Sequence, residues 1–412
     1  MKHVYVTAIF ILAILLSVFQ APAQWVQASP ALTGNVSAFL VLGQDILAGT
    51  NGNSSSGAWR STDNGTTWPE TDPSIGGGTG VSAFAANATH IFAGTQIGVY
   101  ATSDTGTHWS FSMKGSMADK STSSLAVIDT NLFAGVYVGV FRSGDNGATW
   151  TETDSGITNK DITALVASGT SLLAGTFGGG AFLSTNYGKS WTAVDSGLTN
   201  QFVSAFAVNG TNIYAITGNG TYGSLVFLST NNGTSWTSVS TGLPKSYTVS
   251  SLAISGTNLF AGANGVYVLR NNTGSWTSVS TGLPYGSVGA LTVFGSYLYA
   301  GRGSNVYRRP LSELNSVADR QEAAPSHFEL SQNYPNPFNP STSIRYQIPS
   351  ASHVTLKLFD ELGREVATLV NDAKQPGTYT VRWDASTMAS GTYFYRIEAG
   401  SFVQTRKLLV IK

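Results

Sequence analysis

The feature that most restricts this chain is a motif that occurs six times at nearly constant spacing. Ser61-Thr62-Asp63-Asn64-Gly65-Thr66-Thr67-Trp68 comes back as Ser143-Gly144-Asp145-Asn146-Gly147-Ala148-Thr149-Trp150, with Asp104-Thr105-Gly106-Thr107-His108-Trp109 between them. Two more copies carry Asn186, Gly188 and Trp191, then Asn231, Gly233 and Trp236, and a last one ends at Trp276. Successive tryptophans lie 41, 41, 41, 45 and 40 residues apart. A repeat of this length holds one supersecondary unit that cannot bury its apolar face alone and must stack on copies of itself.

Two further series run in register with the first. Apolar strands ending in or near Ala-Gly place Ala48, Ala93, Ala134, Ala174, Ala215, Ala261 and Ala300 at equivalent positions. Each is preceded by another short apolar strand, as in Val36 to Phe39 or Val203 to Phe206. Both series have seven members, against six tryptophans, because the last copy stops after Arg309-Pro310. The missing piece stands at the other end: Trp25 to Thr33 matches Trp150 to Thr158 in position and pattern. The spacing predicts an all-β, seven-bladed β-propeller over residues 24–310, closed by pairing of the N-terminal strand into the last blade. Closure removes the free sheet edges of a linear array.

Each box is a hairpin whose Ser or Thr and Asp or Asn satisfy turn N–H groups, while Gly65, Gly106, Gly147, Gly188 and Gly233 take positive φ. The copy at Asn271-Asn272-Thr273-Gly274-Ser275-Trp276 is one residue short, so a distorted turn is expected there. These residues resemble the Asp-box (BNR-type) propeller superfamily, which includes sialidases, xyloglucan-degrading enzymes, sortilin and photosystem II assembly factors. The resemblance covers about residues 25 to 310 and implies the fold; the superfamily spans both enzymes and binding proteins.

The ends of the chain have other jobs. Lys2 and His3, an apolar run from Val4 to Phe19 and Ala21-Pro22-Ala23 read as a signal peptide over residues 1–23. No later segment is long and apolar enough to span a bilayer. Residues 311–326 lack the repeat and read as a linker. Residues 327–412 alternate apolar positions in six or seven short strands, which predicts a small Ig-like β-sandwich. This stretch resembles the type A sorting domain of type IX secretion, found in Bacteroidetes and their relatives, in Tyr334-Pro335-Asn336-Pro337-Phe338-Asn339-Pro340, Leu358 to Val366, Ser390 to Tyr395 and Lys407 to Lys412. The resemblance implies Sec export, passage through the outer membrane by the type IX machinery, and removal of the domain by its sortase with attachment to the cell surface.

Chemistry-bearing residues are sparse. Charged side chains make up 11 %, twenty-two of each sign, so no broad field draws nucleic acid or an anionic membrane. With no cysteine there is no disulfide framework or thiolate, and the histidines lack metal-ligand spacing. No cofactor or metal is expected, and the propeller is expected to be monomeric. Arg60 and Arg142 sit at the same repeat position and cannot converge as a sialidase's arginine triad would. Asp119 and Asp161, in consecutive loops beside Lys120 and Lys160, are the weak catalytic candidates, set against a surface ion pair.

Because the boxes join third and fourth strands, the second-to-third and blade-to-blade connections must emerge on the opposite face. They carry Tyr137, Phe177, Phe202, Tyr222, Tyr247 and Tyr285, with Arg302 as the main cation. Flat aromatic faces with two side-chain torsions suit a glycan or protein ligand. The expectation is a surface-displayed binding propeller; the alternative is a carbohydrate-active hydrolase or lyase using the same face. Removing residues 405–412 should hold the protein in the periplasm of a type IX host, and cell fractionation showing normal surface delivery would refute the sorting role.

Overall fold

The computed structural model describes residues 24–52, 56–75, 80–112, 119–218, 223–244, 247–314, 327–374 and 377–411. The signal-peptide reading falls outside them. Two compact units divide the chain, Met1–Asn315 and Ser316–Lys412.

In the first unit, seven antiparallel sheets follow one another among the described residues. Blade four is representative, with strands Ile162–Ser168, Ser171–Thr176, Ala181–Ser184 and Thr192–Ala193 running from inside to outside. Blade one keeps three strands, its fourth reduced to a single bridge between Trp59 and Glu70. Blade seven closes the ring: Asn305–Pro310 pairs with Val26–Gln27, matching Val26 to Arg308 and Gln27 to Tyr307.

Three devices fasten each blade to its neighbour, and each maps onto one of the repeated series. The box tryptophans are buried, and their indole N–H groups reach back to the preceding blade. Trp150, Trp191, Trp236 and Trp276 donate to the carbonyls of Ser112, Thr153, Val194 and Val239, and Trp109 donates to the Thr71 hydroxyl. Every acceptor lies three residues after the previous tryptophan. Trp25 obeys the same rule across the closure, donating to Val279 at 2.7 Å, with its backbone N–H on Thr281 as Trp276 has its own on Thr241. Trp68 is the exception and bonds Gly65 of its own box.

The second device is close approach. A Cβ added to Gly49, Gly94, Gly135, Gly175, Gly262 or Gly301 would come within 2.9 Å of Val81, Thr122, Ile162, Val203, Val288 or Val36, at or within two residues of the start of the next blade's inner strand. The Ala-Gly pairs therefore set the blade spacing. Blade five has buried Ile216 at this position, and the inner strand of blade six starts late, at Ser251. The third device is a hydroxyl on the inner strand: Ser37, Ser123 and Thr163 donate to Val81, Ile162 and Val203 of the following blade.

The boxes themselves are self-satisfied. Asp63 accepts from the Thr66 and Thr67 N–H groups and the Thr67 hydroxyl, while Ser61 donates to Asp63 and accepts from Gly65 N–H. Asp145 with Ser143, Asn186 with Ser184 and Asn231 with Ser229 repeat the pattern. These bonds, led by Thr67 N–H, lower the Asp63 carboxyl to about 2. Positive φ is not confined to the glycines, as the sequence suggested: Asn64, Thr105, Asn146, Tyr187 and Asn232, each just before the glycine, are left-handed too. In blade six the shortened turn folds as a single 3₁₀ turn with Asn271 and Asn272 both left-handed.

The expected linker begins later than residue 311. Leu311–Leu314 forms a helical turn whose Leu314 is buried in the cluster containing Trp25, and Leu311 N–H donates to Ser296.

The second unit is a sandwich of two sheets, one holding Glu329–Leu330, Ser341–Ile348 and Gly377–Asp384, the other Ser352–Phe359, Glu365–Lys374, Gly391–Ala399 and Phe402–Val410. Its proline-rich segment is tied down by buried Asn333, whose amide donates to Pro335 carbonyl and Thr342 hydroxyl. Phe338 is buried in the core and exchanges backbone bonds with Leu409 and Ile411, so the segment rests on the final strand.

Trp25 carries both the packing and the hydrogen bonds of the closure. Trp25→Ala should cost about 3–5 kcal/mol, in the range of buried aromatic truncations. A thermal melt unchanged by that substitution would show that the closing strand contributes little.

Candidate functional site

On the loop face, hydrogen bonds tie the second-to-third connections of blades four to seven to blade-to-blade connections beside them. Phe177 N–H donates to Asp161, Gly180 to Gln201, Gly218 to Phe202 and Val288 to Ala263, while Leu32 and Val36 donate to Ser304 and Gly303. Backbone pairing thus holds the side chains of these loops in a common belt.

Four of the expected aromatics meet in two pairs on this face, and Tyr137 meets a lysine. The Tyr137 ring is 56 % exposed and carries the Lys120 ammonium 5.8 Å from its centroid. Phe177 meets Phe202 edge to face, centroids 4.7 Å apart, and is itself 53 % exposed. Tyr247 and Tyr285 bring their hydroxyls to 2.8 Å, beside a cavity of about 300 Å³ that Asn264 and Ser287 also line. The contact with Tyr247 raises the Tyr285 phenol above its ordinary value. Arg302 joins this last pair through the backbone: it is half-buried against Gly286, where a Cβ would come within 2.4 Å of its Nη2, and its Nε is buried without a hydrogen-bond partner. Asn264 and Ser287 carried no signal in the sequence, since polar loop residues abound in every blade. Tyr222 lies outside the described residues.

The two acidic candidates behave otherwise than expected. Neither Asp119 nor Asp161 forms an ion pair with its neighbouring lysine. Lys120 turns to the Tyr137 ring, and Lys160 reaches back to Glu152 at 2.7 Å and Asp154 at 3.0 Å. Sequence neighbours were therefore the wrong partners for both lysines.

The acidic pair that does come together is Glu152 and Asp154, beside Arg142 and Lys189 in a cleft of about 540 Å³. Burial pushes the Asp154 carboxyl up, whereas the bond from Lys160 draws Glu152 down. The position explains Asp154. It is the fourth residue after its tryptophan, as are Ser240 and Ser280, whose hydroxyls both accept from and donate to the backbone of Val226 and Val266. A carboxylate at that site can only accept, so Asp154 cannot reproduce both backbone bonds and is held instead by Lys160.

With this geometry established, comparison with known proteins places the two units. Residues 332–412 match the family described as the secretion system C-terminal sorting domain. That domain belongs to type IX secretion and indicates export to the cell surface or the extracellular space. No curated protein matches the sequence. Among solved structures, the extracellular domain of a hybrid two-component system from B. thetaiotaomicron superposes with a TM-score of 0.59 at 13 % identity, covering 95 % of this chain and 58 % of that one. YCF48 bound to D1 peptide gives 0.56 at 14 % identity, covering 71 % and 98 %. The GH74 xyloglucanase from Xanthomonas campestris gives 0.56 at 15 %, covering 79 % and 60 %. This chain thus spans less than two thirds of the first and third of these neighbours. At such identities the likeness establishes the fold: a β-propeller, here joined to a type IX sorting domain. Among the described residues no helix is long and apolar enough to cross a membrane.

A raised folded pKa means that Asp154 costs stability above its unfolded value near 4, and that the cost is relieved as pH falls and the carboxyl takes up a proton. Asp154→Ser should therefore raise the melting temperature at pH 7, with the gain shrinking toward pH 4. A variant equally or less stable across that range in thermal melts would contradict the assignment.

Proposed function

We propose that this protein is a surface-displayed binding module whose loop face takes a glycan or protein ligand. The observation that carries this reading is the set of exposed aromatics on the loop face: the pairs Phe177 with Phe202 and Tyr247 with Tyr285, and Tyr137 under the Lys120 ammonium. Apolar faces of this size cost free energy in water and gain it when a ring or a peptide covers them. Backbone pairing of the loops reduces the ordering cost of binding. The sorting domain supplies the setting, since it delivers the propeller to where extracellular glycans and proteins are met. The likeness to YCF48 bound to D1 peptide is in keeping with a propeller that serves as a docking surface.

The box face offers less to a ligand, because its polar groups are spent on their own turns. The full-length protein should be screened against glycans and envelope preparations, and its variants then compared on the best binder. Replacing Tyr137, Phe177 and Tyr285 together by alanine should weaken binding at least about tenfold, the loss of roughly 1.4 kcal/mol, with the melting temperature nearly unchanged. Asp63→Ala with Asp145→Ala should do the reverse, costing about 1 kcal/mol of stability each through lost turn hydrogen bonds. Box variants that lose binding while folded, with a normal aromatic triple variant, would put the ligand on the other face. Release of reducing ends from a bound glycan would replace the binding reading by that of a hydrolase.

A further inference from the structure

The contact between Tyr247 and Tyr285 differs from the other places where tyrosines meet. Their hydroxyls lie 2.8 Å apart, and both rings are open to solvent, 39 % and 73 % exposed. Tyr297 approaches Tyr299 and Tyr346 approaches Tyr379, with ring centroids 6.3 Å and 5.3 Å apart, but Tyr299 and Tyr346 are fully buried. Half-buried Tyr267 donates its hydroxyl to Asn264, which lines the cavity beside the exposed pair.

The two residues come from different connections. Tyr247 lies between Thr237–Ser238 of blade five and Ser251–Ser255 of blade six, and Tyr285 between Thr277–Ser278 of blade six and Ala290–Phe294 of blade seven. The strands of blade six therefore all fall between them in the sequence. A covalent bond joining the two rings would close a loop around that blade and remove conformational freedom from the unfolded chain. Exported proteins meet oxidising surroundings and are often stapled there by disulfides, a route closed to a chain without cysteine. Oxidative coupling of phenols needs only two tyrosines that can touch and that an oxidant in the solvent can reach.

We propose that Tyr247 and Tyr285 form an oxidative cross-linking site, at which a peroxidase with hydrogen peroxide joins the two rings as dityrosine. Each phenol gives up one electron and its hydroxyl proton and becomes a phenoxyl radical. The radicals join through ring carbons ortho to oxygen, and the hydrogen on each of these carbons returns to an oxygen, restoring both phenols. The pair thus loses two hydrogen atoms, one from each tyrosine, and the peroxide takes up those electrons and protons and leaves as two molecules of water. Hydroxyls in contact leave the ortho carbons a short rotation apart, and an exposed ring such as that of Tyr285 changes rotamer within nanoseconds. The coupling is independent of what the loop face binds.

The test treats dilute full-length protein with peroxidase and hydrogen peroxide, so that exposed Tyr137 and Tyr334 have no second molecule to meet. The monomer should lose the mass of two hydrogens and gain dityrosine fluorescence. Trypsin cuts after Lys245, Arg270 and Arg302, so residues 246–270 and 271–302 should be recovered as one joined species, with fragmentation placing the bond on Tyr247 and Tyr285. Tyr247→Phe and Tyr285→Phe keep the ring and should melt like the parent before treatment. Each should lose the fluorescence and the joined peptides, whereas Tyr267→Phe should couple like the parent. The coupled protein should melt higher than the untreated one, because its unfolded chain is constrained. Absence of dityrosine from the treated monomer, a bond mapped to other tyrosines, or joined peptides persisting in either single variant of the pair would each overturn the site. A coupled protein that melts no higher would overturn its role as a staple of blade six.

Discussion

The indole N–H of the outer-strand tryptophans, which in six of seven reaches back to the preceding blade, is the contact on which the propeller depends. A single blade is a four-stranded sheet with two apolar faces and no means of burying them alone. The tryptophan places a large ring in the seam, and its one donor finds a carbonyl at a fixed offset in all but two seams. The offset matters because it converts packing, which tolerates sliding, into a register. Trp25 occupies this place from the other end of the chain, so closure uses the interaction found at five of the other six seams.

Seven blades close only if each seam has nearly the same depth. The glycines at the second strands supply this by letting the next inner strand approach the backbone, in six of seven positions. The repeat also departs from itself in places: blade one keeps three strands and its Trp68 bonds its own box, blade five has Ile216 in place of the spacing glycine, and blade six has the shortened box. Boxes built from self-satisfied turns have little free hydrogen-bonding capacity for a ligand. Variation in the loops is how one scaffold acquires a particular surface.

The sorting domain follows a different logic. Its proline-rich segment is held by Asn333 and by pairing with the final strand, so residues about seventy apart in sequence form one element.

Much of this was legible in the sequence, since a box, an Ala-Gly strand and a tryptophan recurring in register leave few alternatives to a closed ring. The count of seven, the strand supplied by Trp25 to Thr33 and the sandwich at the C-terminus all followed from local patterns that report short-range backbone chemistry. The partners of side chains did not. Lys160 was set beside Asp161 by sequence and reaches instead to Glu152 and Asp154 in the preceding outer strand. Tyr247 and Tyr285, thirty-eight residues apart, meet through hydroxyls that no spacing rule links. The sequence by itself determined the fold, because turn and strand propensities act within a few residues and repeat identically. Only the tertiary structure decided which polar groups are satisfied and which face solvent or a ligand, because that depends on atoms brought together from different blades.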